Sequence, residues 1–118
     1  KDRHTSMQAR AINKRNQQQL AEIIKVARAE VEEWGGRLSS VLLPELNEIR
    51  AAAGIYGNEL TQIKAAAKSN QIRVLEPVKA LRTSGPAEDL FPLGIHGHYN
   101  AKGYRVIAEL IAEDLQGR

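Results

Sequence analysis

The sequence contains no cysteine among its 118 residues. That absence excludes disulfide scaffolds, thiolate metal sites and cysteine nucleophiles. Aromatic residues are scarce, with one tryptophan, three tyrosines and one phenylalanine, so no stacking platform for single-stranded nucleic acid is evident. No apolar run approaches the roughly 20 residues that a membrane span needs. We therefore predict no membrane span and no nucleic-acid partner.

Composition is that of one globular domain, with 42% apolar and 26% charged residues and a net charge of +3. The start of the chain is different, because basic residues are balanced there by Asp2 alone. They are Lys1, Arg3, Arg10, Lys14 and Arg15. We interpret residues 1–19 as a polar, basic segment, helical or frayed, and residues 20–118 as part of an α/β domain. The chain begins without Met, and we interpret it as a piece of a longer protein.

The clearest helical pattern follows this basic segment. Its apolar residues recur at steps of three and four, as on one face of a helix. They are Leu20, Ile23, Ile24, Ala27, Val31 and Trp34. Gly35 and Gly36 then predict the helix end. Because Trp34 closes the stripe, we predict that it lies in the core.

Two short segments have the pattern of strands. Residues 37–44 become continuously apolar before Pro44, and residues 72–75 are bounded by a turn and by Glu76-Pro77. Short apolar runs of this kind are typical of central strands in a parallel sheet. We interpret Glu76 as a solvated strand end.

Three further helical segments are predicted. Residues 45–68 keep a helical spacing that glycines interrupt, which predicts a broken helix with its stronger half at 58–68. A short helix begins at Pro77 and ends near Leu81. The last helix spans 101–116, and Asn100 is its predicted N-cap. The order αβαβα predicts an open parallel sheet, but two strands are too few. We therefore expect a missing N-terminal half or a partner protomer to complete the sheet.

Two of the three histidines lie in a glycine- and proline-rich loop at residues 83–99. Loops at the carboxyl ends of parallel strands line the active crevice, and histidine serves there as a general base. From the residues alone, His96 and His98 are as readily explained as surface histidines. Their spacing, even with Glu88 or Asp89 nearby, is weak evidence for zinc, so we predict no metal and no cofactor.

The segment from His98 resembles a known family. It reads His-Tyr-Asn-Ala-Lys-Gly-Tyr-Arg-Val-Ile-Ala-Glu, which is similar to the last sequence block of SGNH (GDSL-type) hydrolases. Two other stretches are similar to bacterial members: Trp34-Gly35-Gly36 leading into Val41-Leu42-Leu43-Pro44, and Leu90-Phe91-Pro92. The resemblance covers about residues 20–116. It implies a three-layer α/β/α, flavodoxin-like sheet, of which this chain supplies a partial αβαβα unit.

The resemblance also implies a chemistry. His98 would be the general base that activates a serine for attack on an ester carbonyl, with His96, Asn100 and Asp89 as candidates for positioning it. The sequence departs from the family in lacking the Gly-Asp-Ser nucleophile block and the Gly-x-Asn-Asp block. The family places an aspartate three residues before the histidine, where this chain has Ile95.

We therefore predict the C-terminal, histidine-bearing part of a serine esterase, whose nucleophile this chain does not contain. The alternative is a non-catalytic SGNH-like module that binds a partner or a carbohydrate. A serine within hydrogen-bond reach of His98 would distinguish the two. The orienting group stays open among a Ser-His dyad, a backbone carbonyl and Asp89. The ester substrate and the compartment are open as well, and an extracytoplasmic location is compatible with the resemblance.

Overall fold

The computed structural model describes residues 2–51, 55–95 and 97–117, and the side-chain environments of residues 14 onward within those ranges. His96, a predicted positioning residue, lies outside the described residues. The chain combines many helices with a small two-stranded parallel sheet and is therefore an α/β protein.

The first helix, α1, spans Asp2–Glu33, so the basic segment is helical along nearly its whole length. Its end is a hydrogen-bonded turn in which Gly35 N–H donates to Glu32 O and Gly36 N–H donates to Val31 O. The prediction that Trp34 lies in the core is wrong, because the indole is 73% exposed. Trp34 follows the last helical residue, where no described element covers that face.

The sheet pairs β1, Ser39–Val41, with β2, Arg73–Leu75. Pairing continues one step further, where Leu42 N–H donates to Leu75 O at 3.0 Å. The first strand is shorter than the predicted 37–44 segment. Neither strand is fully buried along its length, as central strands of a parallel sheet would be. Within the described residues, the sheet therefore consists of two parallel strands and their crossover, and its two faces are not fully covered.

The predicted broken helix is confirmed. Its halves are α2, Leu46–Arg50, and α3, Asn58–Ser69. The short helix α4, Val78–Thr83, ends two residues later than predicted. The last helix, α5, spans Ala101–Gln116, as the sequence predicts. The 83–99 loop contains two short 3-10 turns, Ala87–Leu90 and Pro92–Gly94.

Contacts divide the chain into two compact units. The first comprises Lys1–Ser40 and Thr61–Val74, and there Asn70 donates from Nδ2 to the carbonyl of Ala21 on α1 at 3.0 Å. The second comprises Val41–Leu60 and Leu75–Arg118. Its core is formed by Leu46, Ile49, Leu81, Leu90, Phe91, Tyr99 and Ile107. All the structural features of the candidate site belong to the second unit.

Candidate functional site

Asn100 fixes the end of the histidine loop. Its side-chain oxygen accepts a hydrogen bond from Gly103 N–H at 3.0 Å, which confirms it as the N-cap of α5. Its amide nitrogen donates to Asp89 O at 2.7 Å, and its backbone N–H donates to Leu90 O at 2.8 Å. One residue therefore caps the helix and ties the end of the loop to its middle.

Gly103 allows α5 to approach the loop closely. A β-carbon at this position would lie 2.8 Å from Leu90 O and 2.8 Å from Tyr99 Cδ1. Both distances are shorter than any normal contact, so only a hydrogen atom fits there. Gly103 is therefore a packing residue. Tyr104 packs edge-on against Tyr99 with ring centroids 5.5 Å apart, although it is 49% exposed.

Tyr99 anchors the loop in the core, and the sequence analysis missed that role. Its ring stacks on Phe91 at 4.9 Å, the residue is 8% exposed, and its hydroxyl donates to the carbonyl of Pro44. Burial, followed by the charge of Glu48, raises the pKa of the Tyr99 phenol above its usual range. The phenol is therefore a neutral, hydrogen-bonded anchor.

This anchor places the histidine at the carboxyl edge of the sheet. Pro44 follows β1 in the chain and lies just beyond Leu42, which makes the last hydrogen bond to the neighbouring strand. Tyr99 binds Pro44, and His98 is the residue directly before Tyr99. In open α/β sheets this edge is where ligands and substrates bind.

His98 itself is exposed and follows Gly97, which has a φ of +127°. Among the described residues, none forms a hydrogen bond or ion pair with its imidazole. Asp89 is exposed, and the hydrogen bonds that the structure gives it involve its backbone: its N–H donates to Pro86 O, and its carbonyl accepts from Asn100 Nδ2. The structure therefore brings Asn100 and Asp89 together, but it does not join the Asp89 carboxylate to His98.

An ion pair supports the loop further from the histidine. The guanidinium of Arg50, the last residue of α2, donates to Glu88 Oε1 with an Nε–O distance of 3.0 Å. This hydrogen bond holds the pKa of the exposed Glu88 carboxyl below its usual value. Glu88 therefore stays ionised and serves as a loop tether.

Carboxylates occupy the same edge of the sheet. Glu48 Oε1 accepts from the backbone N–H of Glu45 at 2.8 Å in a capping box, and its other oxygen accepts from Gly57 N–H. The hydroxyl of Tyr56 donates to Glu76 Oε1 at 2.9 Å. Burial and this bond raise the pKa of Tyr56. Glu76, predicted as a solvated strand end, is exposed and also accepts this hydrogen bond.

A cavity of about 460 Å³ opens beside the Tyr99 anchor point. Its lining includes the two residues on either side of Pro44 and the first turn of α3. The lining residues are Leu43, Glu45, Asn47, Glu48, Gly57, Asn58, Glu59 and Leu60. The cavity therefore combines carboxylate and amide groups with two leucines.

Other site types were sought in the part of the chain that the structure describes. No three histidine, aspartate or glutamate side chains gather there as a metal site would need. No helix among the described residues has the length and apolar character of a membrane span. In the comparisons with known proteins, no family model, no curated protein and no solved structure matches this chain.

Proposed function

We propose that His98 is the general base of a serine ester hydrolase of SGNH type, and that the nucleophilic serine lies outside these 118 residues. The proposal rests on the resemblance of the block from His98 to that family. The serines of this chain are Ser6, Ser39, Ser40, Ser69 and Ser84, and none has the family's nucleophile context.

The single structural observation that supports the proposal is the hydrogen bond from the Tyr99 hydroxyl to the carbonyl of Pro44. It fixes the residue next to His98 at the carboxyl edge of the sheet, where a catalytic base of this fold class is needed. A histidine on an unanchored surface loop would have no such constraint. The cap at Asn100 and the close packing at Gly103 hold the other side of the loop.

The chemistry follows from the position of the imidazole. His98 accepts the proton of the serine hydroxyl while the serine oxygen attacks the ester carbonyl. The resulting imidazolium then donates that proton to the leaving alcohol, and an acyl-enzyme remains. Water then attacks the acyl carbon while giving a proton to the same imidazole. The bond between that carbon and the serine oxygen breaks, the imidazolium returns the proton to the serine oxygen, and the acid is released. Imidazole suits both directions of transfer because it changes charge near neutral pH.

We propose that a backbone carbonyl or the serine itself, as a dyad, orients the imidazole. This is supported by Ile95 standing where the family has aspartate, and by the absence of a bond from the Asp89 carboxylate to His98 among the described residues. Asp89 remains the third candidate. Asp89→Asn tests the third candidate, because it removes the Asp89 carboxylate but keeps the backbone carbonyl that binds Asn100. Turnover falls if the carboxylate orients the base and is kept if another group does.

The proposed fold is the three-layer α/β/α arrangement of this family, of which the two-stranded sheet is one part. It is supported by the half-buried strands and by the parallel pairing, since parallel sheets are stable when several strands are covered on both faces. The remaining strands would come from the serine-bearing segment or from a partner protomer.

Ester hydrolysis by the full-length protein encoded by the gene tests this proposal. We expect His98→Ala to remove most turnover of a short-chain p-nitrophenyl ester, with an unchanged circular dichroism spectrum. His4→Ala is the matched control, because it removes a histidine from the basic segment and should leave turnover unchanged. Unchanged turnover in His98→Ala would overturn the assignment.

The second candidate is a non-catalytic SGNH-like module that binds a partner or a carbohydrate. The observation that favours it is the lack of any described partner for the His98 imidazole. A full-length protein with no esterase activity, and with no serine that approaches His98, would support the module.

A further inference from the structure

α1 and Trp34, the residue directly after it, carry exposed apolar side chains that their own unit does not cover. Ile23 is 65% exposed, Val26 is 54% exposed and Trp34 is 73% exposed. An eleven-residue step is close to three helical turns, so Ile23 and Trp34 fall on the same side of the helix axis, and Val26 lies one turn from Ile23. The half-buried Ile24 and Val31 occupy the neighbouring side. We call Ile23, Val26 and Trp34 the α1 stripe.

Trp34 is held in place although it is exposed. A β-carbon on Gly36 would lie 2.3 Å from Trp34 Cζ3, so the glycine lets the indole lie against the backbone. The ring atoms Cζ3 and Cη2 thus lie against Gly36, while most of the side chain is exposed. Tryptophan is enriched among the residues that contribute most of the binding energy in protein interfaces.

Charge along α1 indicates what the stripe binds. Its first half is basic, and its last turn carries Glu30, Glu32 and Glu33. A helix macrodipole favours the reverse distribution. Glu32 pairs with Arg28 at 2.9 Å, whereas Glu30 and Glu33 form no ion pair with any described residue. An antiparallel copy of the same helix would place a basic half beside this acidic end.

We propose that the α1 stripe binds a second copy of the chain, with the two α1 helices antiparallel about a two-fold axis at Ile23. Residues equally far from Ile23 then oppose one another. Ile23 meets its own copy, and Asn16 meets Glu30. Arg15 and Glu33 lie on one flank of the stripe by helical position, so each comes near the other in the second copy.

The molar mass in solution tests the dimer. We expect light scattering on the 118-residue chain to show a dimer that dissociates on dilution and with rising salt. Ile23→Glu and Trp34→Glu should each shift the mass to that of a monomer, with unchanged helical circular dichroism. Leu115→Glu is the control, because Leu115 is 60% exposed on α5 and should leave the dimer intact. A wild-type chain that is monomeric at every concentration would overturn the proposal.

Cysteine cross-linking tests the orientation, and the absence of native cysteine makes each introduced thiol unique. Ile23→Cys should cross-link to itself. Asn16→Cys and Glu30→Cys should cross-link when mixed and fail to do so alone, because the two copies of either residue are about 21 Å apart. Cross-linking of either variant alone, without the mixed product, would indicate parallel helices and contradict the proposal.

A charge exchange tests the flanking pair. Arg15→Glu and Glu33→Arg should each raise the dimer dissociation constant several-fold, and the double variant should restore it. The restoration is specific to a contact between these two side chains. If the effects of the two substitutions simply add, the antiparallel register is wrong.

Discussion

The hydroxyl of Tyr99 donates a hydrogen bond to the backbone carbonyl of Pro44, which lies 55 positions earlier in the chain. This bond joins the histidine loop to the segment that follows β1. It also accounts for the position of His98, whose own side chain has no described partner. The loop is therefore held by its neighbours, and the histidine is left accessible.

Tyr99→Phe should destabilise the protein by about 1–3 kcal/mol, because it leaves the Pro44 carbonyl without its buried donor. Urea unfolding monitored by circular dichroism measures the change. Tyr104→Phe is the matched control: Tyr104 is half-exposed and no described residue accepts a hydrogen bond from its hydroxyl, so the variant should be nearly neutral. Equal effects of the two substitutions would mean that the Pro44 bond contributes little.

Gly103→Ala should destabilise by about 1–3 kcal/mol, although alanine favours a helix by about 1 kcal/mol. The new β-carbon would meet backbone Leu90 O at 2.8 Å, and backbone cannot move aside as a flexible side chain can. Gly117→Ala is the control, since its nearest contact would be an ordinary 3.6 Å. A stabilising Gly103→Ala would show that the loop and α5 are not packed this closely.

Asn100→Ala should cost about 1–2 kcal/mol through loss of the helix cap, and further stability through loss of the donor to Asp89 O. Asn100→Asp separates these roles, because a carboxylate still accepts from Gly103 N–H but cannot donate. We expect Asn100→Asp to fall between the wild type and Asn100→Ala in thermal unfolding. If Asn100→Asp were as stable as the wild type, the hydrogen bond to Asp89 O would have no structural role.

Alkaline pH should weaken the fold through Tyr56 and Tyr99, whose pKa values are both raised by burial. The unfolded chain releases these phenolic protons near the ordinary pKa of about 10, while the folded chain keeps them. The folded state thus binds more protons above that pH, so the free energy of unfolding falls as pH rises from about 10. Tyr56→Phe should reduce the slope measured by urea unfolding across this range. A slope unchanged in Tyr56→Phe would contradict the raised pKa.

The sequence predicted the helices that have strong local signals. α5 begins after a side-chain cap and carries an uninterrupted apolar stripe, so periodicity and Asn100 define its start. The break between α2 and α3 was likewise predicted from the glycines between them. These features depend on residues close together in the chain.

Features that depend on distant residues were not predicted. Trp34 continues a helical stripe, and periodicity alone does not show whether another element covers that face. The length of β1 depends on its pairing with β2, which is distant in the chain. The role of Tyr99 depends on Pro44, and no local pattern indicates that contact.

The most direct test of the central claim is to find the serine that His98 activates. The full-length protein would be treated with a fluorophosphonate probe, and the labelled residue located by peptide mass spectrometry. We predict one labelled serine outside residues 1–118, with labelling strongly reduced by His98→Ala and unchanged by His4→Ala. A label on a serine of this chain, or labelling indifferent to His98, would contradict the account.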